Sequence, residues 1–146
     1  MTPTLAPIAH LTVTLAPPHE IGAVRDALRE VIPITGGTIE GPRLNGRVIP
    51  GGADWCLTRA DGLAEVWARY TIAIEAAGPG GTAGLVMVTN AGFARRAADG
   101  IWRGHTTPRF ETAPGPLDWL SHTIVVGTLE AAADGSQVEM DWFAVS

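Results

Sequence analysis

Along residues 8–15 apolar and polar positions alternate. Ala9, Leu11, Val13 and Leu15 share one face, and His10, Thr12 and Thr14 share the other. A period of two marks a strand with one buried face, and Pro17-Pro18 ends it. The period then changes. Ile21, Val24, Ala27, Leu28 and Val31 recur at helical spacing with arginines and acids between them. That spacing predicts one short amphipathic helix over residues 19–30. Strand-like runs return around residues 35–40, 47–49, 55–59, 64–74 and 85–90. Gly78-Pro79-Gly80-Gly81 reads as a loop. Residues 93–98 read as one helical turn, followed by a long excursion to about residue 118 that holds Trp102, His105, Arg109 and Glu111. Loops of that length are uncommon unless they are lids or binding loops. Residues 120–129 and 137–145 read as two closing strands, joined across Asp134-Gly135.

The strongest local signal is Asp61-Gly62 between two β-like runs, a pairing of residues that favours a two-residue hairpin turn. Such a turn sets Asp54 opposite Arg69, Cys56 opposite Trp67 and Thr58 opposite Glu65, all on one face. Trp55, Leu57, Val66, Ala68, Tyr70 and Ile72 then occupy the other. A slip of one residue would invert the assignment.

Two glycine pairs and several prolines crowd the stretch from Pro33 to Trp55. Glycine allows a strand to bulge, bend or lie against another backbone. Two bent strand corners are therefore expected, with Thr35, Glu40, Asp54 and Trp55 projecting from them. The segments PITGGTIEGP, VIPGGADW, ADG, ARYT, TTPRFET and WLSHTIVVGT occur here in that order. In order and spacing they resemble a small bacterial and fungal family catalogued as domain of unknown function thirty-two thirty-seven. The resemblance covers nearly the whole chain and implies a single-domain β-barrel. It implies little about chemistry. Across residues 19–30 it implies an irregular, glycine-bearing connection instead of the helix that the periodicity predicts. It also implies an acidic or small residue where this chain has Trp67, and other polar residues where it has Ser121-His122.

Composition narrows the class. The chain has 146 residues, enough for one domain with one core. Its 18 glycines and 11 prolines against only 17% charged residues favour many turns and few charged helices. The expectation is an all-β protein: one antiparallel barrel over residues 1–146, lipocalin-like or allene-oxide-cyclase-like, with one or two short helices. Net charge is −5 and all ten basic residues are scattered arginines, so no nucleic-acid footprint is present. The one cysteine, Cys56, excludes an intramolecular disulfide framework. No apolar run reaches the length of a membrane span. With no signal-peptide core near Met1, a cytoplasmic protein is expected. The four histidines lack zinc-ligand spacing, and no nucleotide-binding motif occurs, so neither a metal nor a cofactor is expected.

Asp54 and Arg69 form the sharpest candidate pair. As cross-strand neighbours on a solvent face they would only support the sheet. Inside a barrel, desolvation raises a carboxyl pKa and a neighbouring arginine lowers it, which can leave a general base beside an anion-binding guanidinium. Glu40 is a further catalytic candidate. Thr35, Trp55, Trp67, Tyr70, Arg109 and His122 are candidate substrate contacts. Glu40 could equally cap a glycine-rich bend, and His122 could be an ordinary surface or core histidine. Cys56 as a nucleophile would need an activating base that the sequence does not place. Three readings follow, one of them a structural subunit whose glycine motifs only shape the barrel, and two of them functional. One is cofactor-independent proton transfer by a lyase, isomerase or hydratase acting on a small apolar or aromatic molecule. The other is a lipocalin-like carrier that binds such a molecule unchanged. Apolar side chains on both hairpin faces further predict a homodimer or higher homo-oligomer.

Overall fold

A computed structural model describes residues 1–76 and 82–146, so the expected loop at Gly78-Pro79-Gly80-Gly81 lies outside the described residues. Nine strands run through them: β1 (Leu5–Leu15), β2 (His19–Val24), β3 (Ala27–Glu40), β4 (Gly46–Thr58), β5 (Ala64–Glu75), β6 (Thr82–Arg96), β7 (Trp102–Thr112), β8 (Val125–Ala131) and β9 (Gln137–Val145). Every pairing is antiparallel, in the order β1-β9-β8-β7-β6-β5-β4-β3-β2, and β1 also pairs with β3. That last pairing closes β1 and β3–β9 into an eight-stranded barrel. The only helical piece among the described residues is a 3-10 turn, Asp118–His122.

β1 and β2 lie one after the other along β3. β1 covers its second half (Leu15↔Ile34 to His10↔Glu40) and β2 its first (His19↔Val31 to Val24↔Ala27). Pro17-Pro18 breaks the line because proline cannot donate to a ladder. β9 accompanies β1 only as far as Thr14↔Gln137. The barrel wall therefore parts beside β2, and this opening is the mouth.

The glycine-rich corners are register shifts. β4 slips against β5 between Ile49 and Ala53, and β3 slips against β4 between Pro33 and Gly37. A Cβ on Gly37 would run into the Thr12 carbonyl, and a Cβ on Gly52 would sit 2.5 Å from the Arg69 carbonyl oxygen. The extra residues bend the wall, as bulges do, and the missing side chains let strands cross closely.

Inward positions grade in size along the barrel. Toward the closed end Ile8, Leu11, Ile39, Leu44, Ile72, Val86, Leu120 and Trp142 are fully buried. The 3-10 turn plugs that end, and the Arg43 guanidinium lies 3.8 Å over the Trp119 ring, tying the β3–β4 loop to it. Toward the mouth one side of the wall, from β4 to β6, turns small residues inward: Cys56, Thr58, Ala64, Ala68 and Ala94. Small side chains cannot fill a barrel of this girth, so a cavity remains there.

Three expectations require correction. Residues 19–30 are a β-hairpin, not a helix. Arg25 (φ 49°) and Asp26 (φ 63°) take the positive φ values of a tight primed turn. A bulge between Glu20 and Gly22 disturbs the period of two that would have revealed the strand. Residues 93–98 and most of 99–118 are not a helical turn and an excursion but the end of β6 and all of β7. Gly92 and Gly104 each stand where a neighbouring backbone passes too close for a Cβ, so these glycines continue the strands. Finally, the β4–β5 loop holds three residues, not two. Arg59 N–H bonds the Leu63 carbonyl (2.8 Å) and Gly62 takes φ 85°. The strand pairing is thereby shifted by one residue, to Ala53↔Arg69, Asp54↔Ala68 and Leu57↔Glu65.

Glycines that permit close approach should be far less replaceable than those that only turn the chain. Gly52→Val forces β4 away from β5 and is expected to cost more than about 3 kcal/mol in urea unfolding, the range of severe packing defects. Gly62→Ala meets no atom within 4 Å and carries only the left-handed backbone penalty, about 1–2 kcal/mol. Equal losses for the two would contradict this account of the corners.

Candidate active site

The corrected register decides what faces the lumen. Asp54, Cys56 and Thr58 point inward from β4, as do Ala64, Val66, Ala68 and Tyr70 from β5. Trp55, Trp67 and Arg69 point outward. Each strand's own alternation is therefore as expected, but the two strands are matched one residue differently. Asp54 and Arg69 lie on opposite faces of the sheet and are not partners. Arg69 instead reaches along the outer surface to the Met87 sulfur at 3.3 Å.

The ladder opens where Asp54 sits. Pairing of β4 with β5 is made at Asp54↔Ala68 and resumes at Leu57↔Glu65. In the gap the Trp67 N–H donates to Asp54 Oδ1 at 2.9 Å, and Arg29 Nη1 donates to the Trp55 carbonyl at 2.6 Å. A side-chain carboxylate thus takes the N–H that a regular ladder would give to backbone, and this pins Asp54 in place.

Asp54 lines a cavity of about 190 Å³ at the mouth. It also lines a deeper recess of about 40 Å³. The mouth cavity is walled by Leu15, Ile32, Val66, Trp102, Leu129 and Val138, with Glu30, Cys56 and Thr58 as further polar groups. The recess adds Tyr70, Asn90 and Met140. No lysine, arginine or histidine lines either space. Burial therefore dominates the Asp54 carboxyl and raises its pKa from 3.8 to about 6. The Trp67 N–H and the Arg29 charge pull it down, and Glu30 pushes it up. Burial also pushes the Cys56 thiol up to about 12, with Asp54 adding to the rise. A thiol held so firmly protonated is no nucleophile. Tyr70 is raised by burial as well and stays a neutral hydroxyl.

Of the nine residues singled out from the sequence, only Asp54 and Tyr70 reach the lumen. Glu40 is exposed opposite His10 on β1. Thr35 is exposed and donates to Thr14 Oγ1 at 2.9 Å on the outer wall. Arg109 is exposed opposite Thr89, and His122 is exposed in the 3-10 turn at the closed end. Trp55 and Trp67 meet edge to face outside, with ring centroids 5.6 Å apart. Sequence reasoning passed over Asn90. It ends the run Val86, Val88, Asn90, three inward positions of β6, and a polar residue on an otherwise apolar face was the available signal. Among the described residues no three His, Cys, Asp or Glu side chains gather as a metal site would need, and no helix is long and apolar enough to cross a membrane.

Fold and site together define a closed eight-stranded antiparallel barrel whose mouth holds a desolvated carboxylate in a small, mostly apolar cavity. The chain belongs to the family described as protein of unknown function (DUF3237), which matches residues 3–145. It is similar to the UPF0311 protein RPA1785 of Rhodopseudomonas palustris, with 30% identity over 92% of this chain and 94% of that one. Among solved structures it is similar to a β-barrel like protein from Acinetobacter baumannii AYE. The TM-score is 0.87 and the identity 30%, over 100% of this chain and 98% of that one. The fold is also that of an enzyme from Penicillium herquei, with TM-score 0.76, 22% identity and coverage of 100% and 96%.

The raised Asp54 pKa has a consequence for stability. Folding favours the protonated carboxyl, so its stabilising contribution is full below the unfolded value near 3.8 and is lost as pH rises through about 6. At pH 7.5 the ionised, buried group therefore destabilises the fold. Asp54→Asn keeps an acceptor for the Trp67 N–H and is expected to stabilise the protein there by about 1–3 kcal/mol, at 1.36 kcal/mol per pKa unit. At pH 4 the gain should vanish. Denaturant melts at the two pH values check this, and a variant less stable than wild type at pH 7.5 would contradict it.

Proposed function

We propose that this barrel is a cofactor-independent enzyme that moves a proton on a small, largely apolar molecule held at its mouth. The observation that carries the reading is the Asp54 carboxylate, desolvated in an apolar cavity and facing no cation there. A carboxyl that titrates near 6 exchanges protons readily at neutral pH, whereas an ordinary aspartate is too weak a base to do so well. It is pinned by one hydrogen bond from the Trp67 N–H on Oδ1. Isomerases, and many lyases and hydratases, use such a proton transfer. That a barrel of the same fold is described as an enzyme lends support. Arg69 and Glu40 have no part in it, since neither reaches the lumen. A carrier without catalysis is the second reading, favoured by the apolar walls of the mouth.

The proposal extends to assembly and location. On the outer wall Trp55 (38% exposed), Trp67 (44%) and Phe93 (54%) form an apolar patch with Leu57 and Ala91 along a groove edged by Arg29 and Glu65. Aromatic side chains on an open sheet face suit burial against another chain, and we assign the face to a second copy of this barrel. Cytoplasmic location remains part of the reading, supported by the free thiol of Cys56.

Proton transfer is tested by hydrogen–deuterium exchange. In D₂O, with proton NMR as the readout, a panel of small ketones and lactones should include compounds whose α-protons wild type exchanges about 10²–10⁴-fold faster than Asp54→Asn, the usual worth of a general base. The rate should rise with pH through about 6, as the carboxyl ionises. Binding without exchange would favour the carrier, and full exchange by Asp54→Asn would end this mechanism. Assembly is tested by sedimentation at micromolar concentration. Wild type should sediment as an oligomer and Trp67→Glu as a monomer. A monomeric wild type would refute the interface.

A further inference from the structure

The recess beneath Asp54 contains more polarity than its packing uses. Tyr70 and Asn90 are 3% and 1% exposed, and both line it. Burial raises the pKa of the Tyr70 hydroxyl, and Asn90 lies close enough to act on it as a hydrogen-bonding neighbour that lowers it, yet no contact of Tyr70 Oη or Asn90 Oδ1 has hydrogen-bond geometry among the described residues. Asn90 Nδ2 has only the Met140 sulfur, a weak acceptor, at 3.3 Å. Leaving buried polar atoms unpaired costs free energy that a purely structural core would avoid by using Phe and Leu.

The strand register places these groups relative to Asp54. Asp54↔Ala68 and Ala68↔Asn90 form one row across β4, β5 and β6. Asp54 and Asn90 therefore stand two strand spacings apart, about 10 Å between Cα atoms, on either side of an alanine. Tyr70 lies two residues along β5 on the same face, one step deeper. The recess of about 40 Å³ lies beside the small side chain of Ala68 between them. A small group reaching the recess from the mouth would pass the carboxylate and meet the Tyr70 and Asn90 side chains that line it.

We infer that Tyr70 and Asn90 form an oxygen-binding floor, and that the substrate class of this site is small carbonyl compounds with an acidic C–H beside the carbonyl. The inference rests on the proton-transfer reading of Asp54. The carbonyl oxygen sits on the floor and the C–H faces Asp54. The carboxylate takes the proton, and the C–H electron pair becomes the C=C bond of an enolate. The carbonyl π pair moves to oxygen, where Tyr70 O–H and Asn90 N–H donate to the new charge. The protonated carboxyl then returns its proton to carbon at the same or a conjugated position, so the reaction balances without a co-reactant. An apolar surround makes such donors worth more than in water. Neutral Tyr70 keeps the proton it donates.

The floor can be probed without the natural substrate. 4-Fluorophenol carries an oxygen where the carbonyl would sit, and 4-fluorotoluene of similar shape does not. Their dissociation constants for the full chain are read by fluorine NMR. Wild type should prefer the phenol by about tenfold, the worth of one or two net hydrogen bonds. Tyr70→Phe should cut that preference to under about twofold while still binding the toluene. Because it removes an unpartnered hydroxyl, it should melt no lower than wild type. Asn90→Leu, a second variant, should halve the preference or more, and Ala68→Val should weaken both probes by filling the gap. A wild type that does not discriminate or binds neither probe overturns the floor, as does a Tyr70→Phe protein that keeps the full preference. The outcome separates the two ideas. Phenol preference kept in Asp54→Asn, with no isotope exchange by any protein, leaves the floor standing and removes the base. Exchange that needs Asp54 but is unmoved by Tyr70→Phe, with no phenol preference, does the reverse.

Discussion

When β3 turns back to pair with β1, the sheet loses two edges and gains an inside. The other features of the molecule follow from that closure. Exposed strand edges invite association and are removed by a closed barrel. Closure also means that every second side chain on eight strands faces a space that water cannot freely enter. Apolar residues there become the core, and the few polar ones become desolvated. The β1–β3 pairing is possible only because Gly37 lets the two backbones cross where a side chain would strike Thr12. The glycine-rich corner is therefore a structural necessity before it is anything functional, and its exposed neighbours Thr35 and Glu40 stand outside.

Within that frame the size gradient of inward residues sets where chemistry is possible. Large aliphatics and Trp142 fill the closed end, whereas at the open one alanines, Cys56 and Thr58 of β4 to β6 face larger apolar side chains across a cavity. A cavity of about 190 Å³ is small for a ligand site, since such sites commonly run from about 300 Å³. It suits a compact molecule. Asp54 enters this cavity because the wall is opened by one rung, its carboxylate and the Arg29 side chain taking over backbone groups at Trp67 and Trp55. The same local defect thus supplies both the residue's position and its fixed orientation. An ionised carboxylate in such a place is a cost to the fold at neutral pH.

How much could be read beforehand varied with how local the deciding interaction was. The inward face of β1 was legible because alternation holds from Ala9 to Val13, between the register shifts at either end. The closed barrel was legible from composition and from the ordered motifs of the family. The hairpin at Asp61-Gly62 was legible, but its register was not. Asp-Gly fits both a two-residue turn and a three-residue turn ending in a left-handed glycine, and that one-residue difference moved Arg69 and Trp67 to the outside. The β2–β3 hairpin was hidden because its bulge gives apolar spacing that mimics a helix. β7 was hidden because Gly104 and Pro108 look like breakers until the strands packed against them are known. Asn90 and the unpaired Tyr70 hydroxyl depend on neighbours from three strands, which no local pattern reveals.

The account turns on one physical claim: Asp54 is a desolvated carboxyl that titrates near neutrality. Carbon-13 NMR of protein labelled at the aspartate side-chain carboxyls, with Asp54→Asn to assign the signal, measures this directly. One aspartate should titrate with a midpoint near 6, far above the ordinary 3.8, and its signal should be absent from the variant. If every aspartate, Asp54 included, titrates below about 4.5, within the usual spread of exposed carboxyls, the lumen is not the dry site described and Asp54 is not its base.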